Sequence, residues 1–166
     1  MTWRDYYRRY LYHDYGQALQ LSLASAHKDA TLEDIISRIR NLEITAARYQ
    51  SAEGFFALAD SYARVGRLDE SLQAIERALE SDPRWIGYQT RRAEILHALG
   101  RNQEAEAEAR SVFHYNPEFA QGAIALTEIL LRAAKKDEAR VIVDAFRQAS
   151  SQTVTAEELH KKIEAS

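Results

Sequence analysis

Gly66 and Gly100 lie 34 residues apart, as do Pro83 and Pro117, and Tyr62, Leu96 and Leu130 continue the same count. A fixed period of roughly 20 to 50 residues marks an architecture made by stacking one supersecondary unit, and it takes precedence over any element-by-element reading. One such unit cannot bury its apolar face alone, so its neighbours must cover it. The 166-residue chain is therefore expected to form one short solenoid that presents a surface to another protein.

The period contains two amphipathic helices. Phe55, Leu58, Ala59, Tyr62 and Val65 recur at spacings of three and four, the signature of one helical face. Gly66 follows, where a left-handed cap favours a residue without a side chain. Leu72, Ile75, Ala78 and Leu79 line a second helix, which Asp82-Pro83 ends because proline disfavours helix in the residue before it. Two short helices joined so closely must pack antiparallel. Residues 86–118 repeat the design through Ala93, Leu96, Leu99, Gly100, Ala105, Ala109, Val112, Phe113 and Asn116-Pro117. Residues 120–151 are a worn copy, with Ala134 in place of the glycine and Ser151 in place of the proline.

These residues resemble the tetratricopeptide repeat. Its pattern of large, small, tyrosine, glycine, alanine and proline positions is met, or closely substituted, by Phe55, Leu58, Ala59, Tyr62, Gly66, Ser71, Ile75, Ala78 and Pro83. The second copy departs from it at Gln89 and Arg92, where apolar residues are expected. The resemblance implies an all-α, right-handed superhelical solenoid of antiparallel helix hairpins with about eight helices. Three repeats would occupy 51–152, preceded over 1–50 by an atypical hairpin plus one extra helix and followed over 153–166 by a capping helix. The extra helix is read from Leu32, Ile35, Ile36, Ile39, Leu42 and Ala46, with Thr31 and Asp34 approximating a capping box. Thr155 with Glu158 suggests a cap for a final helix over 156–165.

Other classes of function find little support. There is no cysteine, which excludes disulfides, thiolate metal sites and cysteine nucleophiles. The five histidines show no metal-ligand spacing, and no phosphate-cradling or calcium loop is present. No enzyme activity and no cofactor are expected. His97 with Glu94 is the one pair of general acid–base character, and at this spacing on a surface helix it reads as ordinary solvation. A net charge of −3 gives no general pull towards nucleic acid, and no apolar run is long enough for membrane insertion. A cytoplasmic protein is the simplest expectation.

The resemblance also implies a groove lined by the first helix of each repeat. Carried over residue by residue, the groove would present Phe56, Asp60, Ala63 and Arg64, then Thr90, Glu94 and His97, then Gln121, Ile124, Glu128 and Arg132. Asp60, Glu94 and Glu128 would form an acidic line suited to a basic segment of a partner. The competing reading is local pairing, Asp60 with Arg64 and Glu128 with Arg132, each worth only ~0.2–0.5 kcal/mol as helix support. Glu94 is the member that such pairing explains least. Phe56 and Asp60 stand where one branch of the family carries the Lys and Asn that grip C-terminal carboxylates, so that clamp is not expected. Arg92 is expected to carry its charged head outward, the alternative being a carboxylate such as Glu94 or Glu128. Trp3, Tyr6, Tyr7 and Tyr10, with Arg4, Arg8 and Arg9 between them, read as a packing face, as a self-association or partner patch, or, least well, as a platform for nucleic acid. The function expected is a non-catalytic adaptor that binds a peptide or helix. The alternatives are a regulatory or targeting domain of a larger enzyme and a homo-oligomeric organiser.

Overall fold

A computed structural model describes residues 32–166. Residues 39–166 form one compact unit, and the packing below is that of this unit. The described residues form eight helices: α1 Leu32–Tyr49, α2 Ala52–Arg64, α3 Leu68–Ser81, α4 Ile86–Ala98, α5 Asn102–Tyr115, α6 Ala120–Arg132, α7 Lys136–Ala149 and α8 Thr153–Ala165. They contain no strand. The described residues form an all-α solenoid whose hairpins are α2–α3, α4–α5 and α6–α7, each packed on the next. The expected capping box at Thr31 and the aromatic segment Trp3, Tyr6, Tyr7 and Tyr10 lie outside the described residues.

One turn closes all three hairpins. Arg67, Arg101 and Lys135 donate their amides to Tyr62, Leu96 and Leu130, five residues back, at 2.9–3.0 Å. The preceding residues donate three back, to Ala63, His97 and Leu131. This double bond pattern satisfies the orphan carbonyls of the helix end and needs a left-handed residue between the helices. Gly66 and Gly100 supply it at φ 77° and 79°, and Ala134 adopts it at 58° despite its Cβ.

The small residues of the repeat let paired helices approach. Ala59, Ala78, Ala93, Ala105, Ala123 and Ala139 are fully buried. Ser71 replaces one such alanine and donates its hydroxyl to the Ala59 carbonyl at 2.7 Å. Helix α1 buries Ile39 and Ala46, and Tyr62 ties it to the first hairpin by donating to Glu43 at 2.5 Å. Burial first, then that carboxylate, pushes the Tyr62 hydroxyl up to about 12.

The last helix departs from expectation at its start. It begins at Thr153, so Thr155 lies inside it, and its N-cap Gln152 makes no side-chain cap bond. Helix α8 packs on α6 and α7, much as α6 packs on α4 and α5. It occupies on the third hairpin the place that a first helix occupies on the hairpin before it. Ala156, Leu159 and Ile163 bury its inner side while charged residues cover the outer.

Candidate protein-interaction surface

The first helices of the hairpins start at Ala52, Ile86 and Ala120, again at intervals of 34, and each is preceded by a distinct N-cap. Ser51 caps α2 by accepting from the Gly54 amide at 3.1 Å. Trp85 and Phe119 precede α4 and α6 and make no side-chain cap bond. Trp85 folds back over its own helix, where its ring lies 5.2 Å from that of Tyr88 in a stacked arrangement. A Cβ on Gly87 would come within 2.5 Å of the indole nitrogen, so glycine makes room for the fold-back. Tyr88 meets Phe56 of the preceding hairpin, also at 5.2 Å. Burial, with smaller contributions from the Glu53 and Asp82 charges, raises the Tyr88 hydroxyl well above its ordinary value. The expected groove residue Phe56 is thus half-buried at one end of an aromatic set that joins two hairpins.

Asp60, Glu94 and Glu128, the three carboxylates expected in an acidic line, do not stand as free charges. Arg91 of α4 donates to Glu94 at 2.7 Å and to Asp60 of α2 by a shorter contact. Asp60 also accepts from Arg64 at 2.9 Å. Burial works against the Arg91 charge, yet the two carboxylates overcome it and raise its pKa. Glu128 is held by Lys162 of α8, not by Arg132. Each carboxylate of the line therefore has a cation of this chain against it, and Glu94, the one least explained by local spacing, has the most deeply buried of them.

The structure also places Thr90, His97 and Arg92, and two of these expectations, Thr90 and Arg92, change. Thr90 is only 4% exposed and donates its hydroxyl to the Ile86 carbonyl at 2.7 Å, so it belongs to its own helix and not to an open groove. His97 lies with Nδ1 2.9 Å from Asn102 at the start of α5, so it forms no acid–base pair with Glu94, which Arg91 occupies. Arg92 pairs with Glu108 across the second hairpin, its Nε 2.8 and 3.0 Å from the two carboxylate oxygens, rather than with Glu94 or Glu128. Ala63, Gln121 and Ile124 are half-buried on the first helices, and Arg64 and Arg132 are more open to solvent.

Sequence reasoning missed Arg91 and Trp85, although both left a signal. Arg91 lies three residues before Glu94 and 31 after Asp60, and Asp60 and Glu94 are themselves one period apart, so a single guanidinium can reach equivalent carboxylates on adjacent helices. Trp85 and Phe119 are one period apart at the entry to a first helix. Among the described residues, no group of three or more His, Cys, Asp or Glu side chains is placed to hold a metal ion, and no helix is long and apolar enough to cross a membrane.

Residues 52–85 match the family model described as tetratricopeptide repeat. Solved structures similar to this chain include a thermophilic TPR protein, TTC0263, of Thermus thermophilus, at 18% identity and a TM-score of 0.69 over 81% of this chain and 73% of that one. Another is a tetratricopeptide repeat protein from Parabacteroides merdae, at 18% identity and 0.66 over 92% of this chain and 59% of that one. The first TPR of Spaghetti (RPAP3), bound to an HSP90 peptide, matches at 18% identity and 0.58 over 69% of this chain and 90% of that one. At such identities the likeness speaks for the fold. No curated protein matches the sequence.

Proposed function

We propose that this tetratricopeptide solenoid is a non-catalytic protein-interaction module that holds a peptide or helix of a partner on the face formed by α2, α4 and α6. The fold supports the reading, as does the peptide-bound state of one structural neighbour. The observation that carries it is the division of labour on that face. Its carboxylates are matched within the chain, while Phe56, Gln121 and Ile124 remain half-exposed. A basic segment would have to compete with Arg91 and Lys162 for the acidic line, so the partner is selected more by apolar and hydrogen-bonding contacts than by positive charge.

The test is capture of proteins from the native source on the full chain, followed by affinity measurement with each purified candidate. A partner that loses its affinity with Phe56→Asp and Ile124→Asp, and that is little changed by Glu94→Lys or by salt, supports the reading. An affinity that collapses with Glu94→Lys and with salt would restore the basic-segment preference. Retention of the chain alone, with a solution mass above that of the monomer, would favour the homo-oligomeric organiser.

A further inference from the structure

The second hairpin is open where the family pattern would be filled. Gln89 and Arg92 stand one period after Phe55 and Leu58, and Leu58 and its third-hairpin equivalent Leu126 are buried. In their place lies a cavity of about 480 Å³, floored by α4 and flanked by α3 and α5, away from the Asp60–Glu94–Glu128 line. Its apolar lining is Leu96 and Ala107. Its charged lining is Glu76, Glu104 and Glu108 against Arg92 and Arg101. Both guanidiniums already hold a carboxylate, Arg92 that of Glu108 at 2.8 Å and Arg101 that of Glu104 at 2.6 Å. Glu76, the carboxylate left over, acts on Arg101 only through space.

Stability does not account for this lining. Replacing a partly buried ion pair by apolar residues of similar volume is often neutral or stabilising, and leucine already serves at the equivalent places on either side. An anion entering the cavity would have to displace Glu104 or Glu108 from its arginine. A cation meets one surplus negative charge, and an aliphatic stem finds Leu96 and Ala107. We propose that this cavity is a second binding site, taking an arginine or lysine side chain presented by a partner protein. It is independent of the partner on the α2, α4 and α6 face.

The probe is Nα-acetyl-arginine methylamide, titrated into the full chain while backbone amide shifts are followed by NMR. Nα-acetyl-norleucine methylamide and inorganic phosphate serve as controls. The amides of Leu96, Ala107 and Ser111 should shift with the arginine compound alone, and Glu76→Gln should weaken the effect about two- to fivefold. Gln89→Phe with Arg92→Leu should fill the cavity, abolish the response and leave the helical content unchanged. A response to phosphate, an equal response to the norleucine compound, or no response at all would each overturn the assignment. So would a folded filled variant that still responds. Should the filled variant not fold, Glu76→Gln decides alone: an unchanged titration sinks the site.

Discussion

Hairpins α2–α3 and α4–α5 have the same helix lengths and the same closing turn, yet their outer layers follow different chemistry. Where the first has Leu58, Leu72 and Ala74, the second, 34 residues on, has Arg92, Glu106 and Glu108. The apolar residues are buried. The charged ones are ion-paired, Arg92 to Glu108 and Glu106 to Arg110 and Lys135. What the hairpins share is the set of close-approach residues, Ala59 and Ala93, Ser71 and Ala105, all fully buried. The backbone is therefore fixed by small residues and by the turn, and the outer row can be apolar or charged provided its members are changed together.

The sharpest way to break that comparison is to change one member alone. Leu58→Arg puts a guanidinium opposite Ala74 with no carboxylate to receive it, and an unmatched buried charge costs about 3–5 kcal/mol. Urea unfolding should show a loss of that size. Adding Ala74→Glu supplies the partner that Arg92 has, and should return about 1–2 kcal/mol. If the double variant is no more stable than the single one, the two hairpins are not interchangeable in the way argued.

Next in size is the tie between the hairpins. Arg91→Met leaves Asp60 and Glu94 facing each other across α2 and α4 without their shared cation. Hydrogen bonds to charged groups are each worth about 1.5–3 kcal/mol. The partial exposure of Arg91 places the expected loss near the lower end, about 2 kcal/mol. Arg64→Ala removes only a pair near the surface and should cost below ~1 kcal/mol. Equal losses from the two would mean that Arg91 does not bridge the hairpins.

How far the sequence foretold all this depends on the range of each interaction. The period, the hairpins and helix α1 were legible because they rest on spacings of three, four and 34 residues. The Arg91–Asp60 contact spans 31 residues and the Arg92–Glu108 pair spans 16, distances at which helix spacing says nothing until the packing of neighbouring helices is known. Thr90 was misplaced because its residue type fits a groove and only its side-chain torsion, turned to the Ile86 carbonyl, removes it. The start of α8 was placed late because Thr155 and Glu158 mimic a cap while the true N-cap, Gln152, makes no such bond.

The third hairpin allows a finer comparison, since its turn is the same and its cap residue is not. Ala134 holds a left-handed conformation that costs a residue with a Cβ roughly 1–2 kcal/mol. Part of that is offset because glycine makes the unfolded chain more flexible. Ala134→Gly should therefore stabilise the protein by about 1 kcal/mol, and Gly100→Ala should destabilise it by a similar amount. Thermal unfolding of the two variants checks both signs at once.

The smallest effect concerns the seam between the second and third hairpins, and its signature is a dependence on pH. Glu106 lies 2.8 Å from both Lys135 Nζ and an Arg110 nitrogen, and Arg110 also reaches Glu138 of α7. The Lys135 hydrogen bonds, opposed by burial and aided by Arg110, hold the Glu106 carboxyl below its ordinary value of 4.5. A carboxyl whose pKa is lower folded than unfolded binds more protons in the unfolded chain, so it stabilises the fold at neutral pH. That stabilisation starts to fall as the pH drops past about 4.5, the ordinary value, and is gone once the pH lies below the folded value. Leu72, its equivalent in the first hairpin, has no such dependence. Glu106→Gln should lower stability at pH 7 by less than ~1 kcal/mol, and the gap from the parent chain should close as the pH falls below the carboxylate range. A gap that stays constant with pH would mean that Glu106 holds the seam by packing, as Leu72 does, and not by its charge.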